Sequence, residues 1–191
     1  MASASICELA NTREDHNEMY KEQKGFSLIE LLIVVAIILI IAAIAIPNLM
    51  RAKMAANDSS AAAGERTIVS AEVGYFASYP TVGYTNLVSL GGAINAACVP
   101  STTTACLLDN NLANNGPGGN GKSGYNFAAT PIVATATTPP QFWTTATPLG
   151  TTSGTKAYCA ADDGVVRTQP AGTITLVPDY ATCQTLVPLS N

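Results

Sequence analysis

Charged residues and histidine are scarce in this chain. Only 12% of its 191 residues are charged, and its one histidine, His16, lies near the amino terminus. Nine basic and thirteen acidic residues give a formal net charge of −4, so the sequence lacks the basic footprint of a nucleic-acid-binding protein. Without histidine beyond residue 25, histidine-dependent catalysis is excluded there. We therefore expect no enzyme, no cofactor and no specific nucleic-acid site.

A long apolar run near the amino terminus contains a single acid. Between Phe26 and Ile46 the polar side chains are Ser27 and Glu30. A helix of roughly 21 residues at about 1.5 Å each is about 32 Å long, enough to cross a bilayer. An ionised glutamate in a membrane costs on the order of 3 kcal/mol, so such residues are usually paired and functional. Glu30 therefore predicts a cationic partner.

The residues around this run carry a family resemblance. Gly25, Phe26 and Glu30, followed by the aliphatic stretch and Pro47, resemble the processing site and first helix of type IV prepilins and the related pseudopilins. The resemblance covers roughly residues 21–54. It implies cleavage between Gly25 and Phe26 by a membrane prepilin peptidase, followed by methylation of the Phe26 amine. It also implies assembly into a filament with the apolar helices at its core.

The resemblance also implies a function, partners and a location. It implies a type IVa-like pilus subunit that polymerises with copies of itself and serves adhesion, motility or DNA uptake. The alternatives are a pseudopilin of a type II secretion system and an electron-transfer filament. The partners would be prepilin peptidase and the assembly machinery. The precursor would be a single-pass inner-membrane protein, and the product an extracellular pilus or a periplasmic pseudopilus.

The first 25 residues fit the role of a leader only in part. The stretch before Met19 has four acids and one base, the wrong sign for a cytoplasmic flank. A start at Met19 gives a short leader with Lys21 and Lys24. An ordinary signal peptide, cleaved near Ala43-Ile44-Ala45, and a plain single-span anchor are the alternatives. We predict a leader at 1–25, a membrane and filament-core helix at 26–50 and a head at 51–191.

The predicted fold class is α+β, with a long first helix and a small antiparallel sheet on its second half. Apolar spacing continues the helix to Pro80, and Pro47 should kink or loosen it. Some relatives have a glycine where this chain has Leu39, so we expect any unwinding in a filament near Pro47. Short strands are predicted at 125–130, 142–149, 156–160 and 164–168, with loops over 81–123 and 169–191.

Four features of the predicted head could have a functional role. The stripe of Tyr75, Phe76 and Tyr79 fits a face beneath the sheet better than an electron relay. Glu65 and Glu72, seven residues apart, are interpreted as a solvated or intersubunit surface. Asp162-Asp163-Gly164 is typical of a hairpin turn; calcium prefers six to eight oxygen ligands and only two carboxylates are evident locally, so the sequence leaves calcium binding open without supporting it. The glycine-rich stretch at 114–121 lacks the ending of a phosphate-binding loop.

Four of the five cysteines lie in the predicted head, which the membrane orientation places outside the cytoplasm. An even number of cysteines in that setting predicts disulfides. Three pairings are possible, and the spacings favour Cys98–Cys106 and Cys159–Cys183. No Cys-x-x-Cys pair supports a zinc site, so no metal site is predicted.

We expect translation to begin at Met19 and the mature chain to begin at Phe26 with a methylated amine. Intact mass and amino-terminal sequencing of sheared surface filaments measure both. A mature chain that begins at Ile46 would show cleavage of an ordinary signal peptide instead.

Overall fold

The structure is a computed structural model that describes residues 25–92, 97–115 and 120–190. The predicted start at Met19 and the leader lysines lie outside the described residues. The chain divides into two compact units, Met1–Ala42 and Ala43–Asn191. The predicted functional segments, a leader at 1–25, a filament-core helix at 26–50 and a head at 51–191, stay a prediction.

Helix α1 (Leu28–Ser78) is the dominant element and passes through both units. It stops shortly before Pro80, which cannot continue a helix. Its assignment is unbroken at Pro47. Because proline has no N–H, the Ala43 carbonyl lacks its helical donor there, and the predicted kink stays a prediction.

The head contains a five-stranded antiparallel sheet, so the predicted α+β class is confirmed. Its strands are adjacent in chain order, and each pairs with the next. In the register of the first pair, Phe127 faces Ala146 and Thr130 faces Trp143. The strands are β1 (Tyr125–Ile132), β2 (Gln141–Pro148), β3 (Tyr158–Ala161), β4 (Val166–Thr168) and β5 (Val187–Pro188).

The two segments predicted as loops also contain short regular elements, so that prediction was wrong in part. Residues 81–123 include α2 (Leu87–Leu90) and α3 (Asn110–Ala113), and residues 169–191 include α4 (Tyr180–Thr185) and β5. Each helix begins after an Asn or Asp whose side chain accepts a hydrogen bond from the first turn: Asn86, Asp109 and Asp179. Helices of four to six residues are too short to show a clear hydrophobic period.

The sheet packs on one face of α1, which we call the seam. Its members recur every three or four residues, and all are buried: Asp58, Ala61, Glu65, Ile68, Glu72 and Tyr75. Alternate residues of β1 are buried in the same core cluster, beginning with Tyr125 and Phe127. Because side chains alternate along a strand, β1 meets the seam with one face and exposes the other.

Two glycines let the sheet approach the helix closely. A Cβ on Gly64 of α1 would lie 2.7 Å from the Phe127 ring. A Cβ on Gly154, in the loop between β2 and β3, would lie 2.1 Å from the Tyr125 hydroxyl. Any larger residue at either position must displace an aromatic ring from the core.

Both cysteine pairs favoured by the spacings are disulfides in the structure. Cys98 and Cys106 have their Cα atoms 5.9 Å apart, and Cys159 and Cys183 have theirs 6.0 Å apart. The second bond joins α4 to β3 and packs beside Trp143 in a small apolar cluster. Cys159 pairs with Thr145 across the sheet, on the face that points away from α1, so this disulfide fixes the carboxyl-terminal segment over the outer face.

We expect Gly154→Ala to destabilise the head by about 1–3 kcal/mol, the usual cost of overpacking, because its methyl group collides with Tyr125. The control is Gly150→Ala, since a Cβ at Gly150 has no heavy atom within 4 Å. Urea unfolding of the full chain in detergent micelles, followed by the fluorescence of Trp143, measures the difference. Equal stability of the two variants would contradict the close packing at Gly154.

Candidate processing and assembly site

The predicted cleavage junction lies in non-helical backbone just before α1. Gly25, Phe26 and Ser27 precede the helix. Phe26 is 83% exposed, and no heavy atom lies within 4 Å of a Cβ placed on Gly25. A peptidase needs an accessible peptide outside regular structure, and the Gly25–Phe26 bond is exposed and non-helical; its cleavage stays a prediction. The Ser27 carbonyl accepts a hydrogen bond from Leu31 at 3.1 Å, which begins the helical ladder.

Glu30 lies in the first turn of α1 and is exposed. A carboxylate there is favoured by the partial positive charge of the helix amino terminus. Among the described residues it forms no ion pair. The cation that the sequence predicts for Glu30 is therefore not supplied by the described part of its own chain.

The first half of α1 is apolar on every side. From Leu28 to Ile46 its large hydrophobic side chains are 46–80% exposed. Within the described ranges, α1 is the one helix long and apolar enough to cross a membrane. A helix that is hydrophobic all round is stable only inside a membrane or among other apolar helices, so this surface requires such surroundings.

The second half of α1 contains two glutamates, Glu65 and Glu72, whose surroundings differ from those predicted. Glu65 and Glu72 were predicted to lie on a solvated or intersubunit surface, and that prediction was wrong, because both are fully buried under the head. The reason is their spacing. Positions 65 and 72 share the seam with Ile68 and Tyr75, and this heptad-like pattern, extended back to Asp58, is the signal that could have revealed their burial.

Asp58 is the best satisfied of the three seam acids. Its Oδ1 accepts hydrogen bonds from the Tyr125 hydroxyl at 2.5 Å and from the Thr155 N–H at 3.0 Å. Its Oδ2 accepts one from the Thr155 hydroxyl. Burial, together with the neighbouring Asp58, raises the pKa of Tyr125, so the phenol remains a donor. Asp58 therefore links α1 to both β1 and the loop between β2 and β3.

The other two seam acids each have one oxygen satisfied. The Thr144 hydroxyl donates to Glu65 Oε2, and the Thr85 N–H donates to Glu72 Oε2 at 3.2 Å. The Oε1 atoms of both residues are buried without a partner among the described residues. Burial raises the pKa of Glu65 to about 8 and that of Glu72 to about 7, against the smaller opposing effect of these hydrogen bonds. Glu65 is therefore mainly a neutral carboxylic acid at pH 7.

The aromatic stripe packs inside the head. Tyr75 is buried, and its hydroxyl donates to the Thr102 carbonyl at 2.7 Å. The Tyr79 ring lies 5.0 Å from that of Tyr75, and the Phe76 ring lies 5.0 Å from that of Tyr84. These contacts join α1 to the segments that follow it within the head.

The carboxylates of the predicted hairpin turn are engaged by neighbouring side chains. Asp163 forms an ion pair with Arg167 at 2.5 Å, and this hydrogen-bonded contact lowers its pKa. Asp162 accepts a hydrogen bond from the Tyr180 hydroxyl at 2.7 Å. With Gly164 in a left-handed conformation at φ 74°, the segment forms the turn between β3 and β4, and its carboxylates brace it.

Comparison with known proteins identifies relatives of the amino-terminal segment. The model of the prokaryotic N-terminal methylation motif matches residues 20–46. The type IV wide pilus major component PilA4 of Thermus thermophilus is 62% identical over 39 residues, which are 20% of this chain. The chain spans 30% of the length of this curated relative. No solved structure matches the chain. The motif and the relative support a type IV prepilin.

We expect the stability of the head to fall as pH rises from about 5 to about 8. The folded pKa values of Glu65 and Glu72 lie above the ordinary value of 4.5. The folded state therefore binds more protons than the unfolded state across this window and loses that advantage as the pH passes the folded values. For each pH unit by which folding raises a pKa, the free energy of unfolding changes by about 1.4 kcal/mol across the window.

Two variants test this expectation. One is the single substitution Glu65→Gln, and the other is the double substitution Glu65→Gln with Glu72→Gln. The first should reduce the slope of unfolding free energy against pH, and the second should nearly abolish it between pH 5 and 8. Asp109→Asn, at an exposed acid, is the control and should leave the slope unchanged. Urea unfolding at several pH values gives the slope, and an unaltered slope in the double variant would show that these acids are not its source.

Proposed function

We propose that this chain is a structural subunit that polymerises into a type IV pilus after cleavage between Gly25 and Phe26. The observation that carries the proposal is the accessible Gly25–Phe26 junction followed directly by an exposed, wholly apolar helical surface. One surface of this kind serves two environments. It anchors the precursor in the inner membrane, and it later packs against the same surface of neighbouring subunits in the filament core.

Glu30 gives the assembly step its specificity. Cleavage creates a new amine at Phe26, and methylation preserves the positive charge. A glutamate inside an apolar core is costly unless it is paired, and its own chain supplies no ion-pair partner among the described residues. The Phe26 amine of a neighbouring subunit is the natural partner, so each incoming subunit takes the axial position at which the two charges meet.

The pilus is preferred to a secretion pseudopilus on two grounds. The relative that matches the amino-terminal segment is itself a major pilus component. The head also exposes two threonine-rich segments, at Thr102–Thr103 and at 135–138, which suit an outer surface engaged in adhesion. Motility and DNA uptake are the other roles that the resemblance implies. An electron-transfer filament would instead use the aromatic stripe, and redox titration of purified filaments distinguishes that role.

We expect Glu30→Leu to leave membrane insertion and cleavage intact while reducing surface filaments roughly tenfold or more, because the charge that fixes axial position is lost. The control is Ile29→Leu, which alters the adjacent position without changing charge. Electron microscopy counts sheared filaments, and mass spectrometry identifies the subunit and its amino terminus.

The outcomes separate the parts of the proposal. Normal filaments from Glu30→Leu would contradict the pairing with Phe26 while leaving the filament role in place. Failure of cleavage in Glu30→Leu would assign Glu30 to recognition by the peptidase. Absence of this chain from surface filaments of the unaltered strain would contradict the pilus role itself.

A further inference from the structure

The edge of the sheet at β1 is unusually poor in charge. No Asp, Glu, Lys or Arg occurs from Ser123 to Thr155, a stretch that includes all of β1 and β2. Edge strands present unpaired N–H and C=O groups, and proteins commonly protect them with charged side chains, proline or short length. At the opposite edge, β5 consists of only Val187 and Pro188. The eight-residue β1 needs another form of protection.

The hydrogen bonds of β1 show which groups face the edge. The N–H and C=O of Tyr125 bond to Lys122 at 3.0 and 2.8 Å, so they point away from β2. Because backbone groups alternate in direction along a strand, those of Phe127, Ala129 and Pro131 also point to the edge. Lys122 closes the first position, and Pro131 offers no N–H at the last. Among the described residues, the edge groups of Phe127 and Ala129 have no backbone partner.

The side chain of Asn115 occupies the position at Phe127. The Phe127 N–H donates to Asn115 Oδ1 at 2.5 Å, and Asn115 Nδ2 donates to the Phe127 carbonyl at 2.8 Å. One amide side chain thus makes the two hydrogen bonds that a residue of a neighbouring strand would make. Asn115 follows α3 in a left-handed conformation with φ 54°, which asparagine tolerates well at a helix end. The end of α3 therefore aims the side chain at the edge.

We propose that Asn115 is a built-in strand mimic that closes β1 against pairing with a second copy of this chain. The edge is self-complementary once Asn115 is removed. Two antiparallel β1 strands related by a two-fold axis at Ala128 would place Phe127 of each copy opposite Ala129 of the other, so all four edge groups of each strand would pair. A groove of about 300 Å³ lined by residues of α2, β1 and the end of α3 gives access to Ala129.

The decisive variant is Asn115→Gly, because glycine keeps the left-handed backbone at little cost and removes only the side chain. The control is Asn114→Ala, which removes the neighbouring amide and its bond to the Asn110 carbonyl but leaves the edge closed. Both are studied as the full chain in detergent micelles, where association through the membrane helix is common to all variants. Trp143 fluorescence and the unfolding midpoint establish that each head is folded.

In dilute samples we expect the Phe127 amide to exchange with solvent at least about tenfold faster in Asn115→Gly than in the unaltered chain. At higher concentration the variant should form additional dimers, in which exchange at Phe127 and Ala129 slows again. Asn114→Ala should behave like the unaltered chain in both measurements.

A second substitution tests the register of the dimer. Ala128 is exposed and would face its own copy across the two-fold axis, so Ala128→Lys places two like charges opposite each other. Added to Asn115→Gly, it should abolish the extra dimers while leaving the faster exchange at Phe127. Unchanged association in Asn115→Gly with an exposed Phe127 amide would overturn the proposal, as would extra dimers that Ala128→Lys does not remove.

Discussion

Packing of the sheet against the seam of α1 is the interaction on which the rest of the head depends. The seam alternates acids with Ala61, Ile68 and Tyr75, so the sheet that covers it must supply hydrogen-bond donors as well as apolar surface. Tyr125 and Thr144 are among those donors. Once they are placed, the register of β1 and β2 on the helix is set, because a shift of one residue would turn the donors to the other face.

The two halves of helix α1 present different surfaces. Its first half is apolar on all sides and exposes those side chains, whereas its second half confines its apolar residues and three acids to one buried face. An acid such as Glu65 is tolerated under the head because it can be neutral there and accept a hydrogen bond. Glu30 has no such donor among the described residues, so its compensation must come from outside the described part of the chain. In the filament proposed for this chain, the first case would stabilise the head and the second would select a partner.

Low charge is a further constraint that links fold to assembly. In the proposed filament, close packing with other copies would benefit from a surface with few charges, but a charge-free sheet edge exposes backbone groups that invite unwanted pairing. This chain closes its edges with structure: a short bridge at Lys122, an amide at Asn115 and prolines at 131 and 188. Such closure would leave the apolar surface of α1 as the route of association in the proposed filament.

The sequence by itself determined the features that depend on local pattern. Continuous apolar residues predicted α1, alternation and turn residues predicted β1 to β4, and Gly25, Phe26 and Glu30 predicted the prepilin-type junction. Only the tertiary structure decided the role of Asn115 and the groups that satisfy the seam acids, and it also revealed α2, α3, α4 and β5. The spacing of Glu65 places it on the seam, but the hydrogen bond that satisfies it there comes from Thr144, a residue far away in the chain. In the same way Asn115 is an ordinary loop residue until β1 lies beside it. Such roles arise from contacts between distant segments, and local patterns do not encode those contacts.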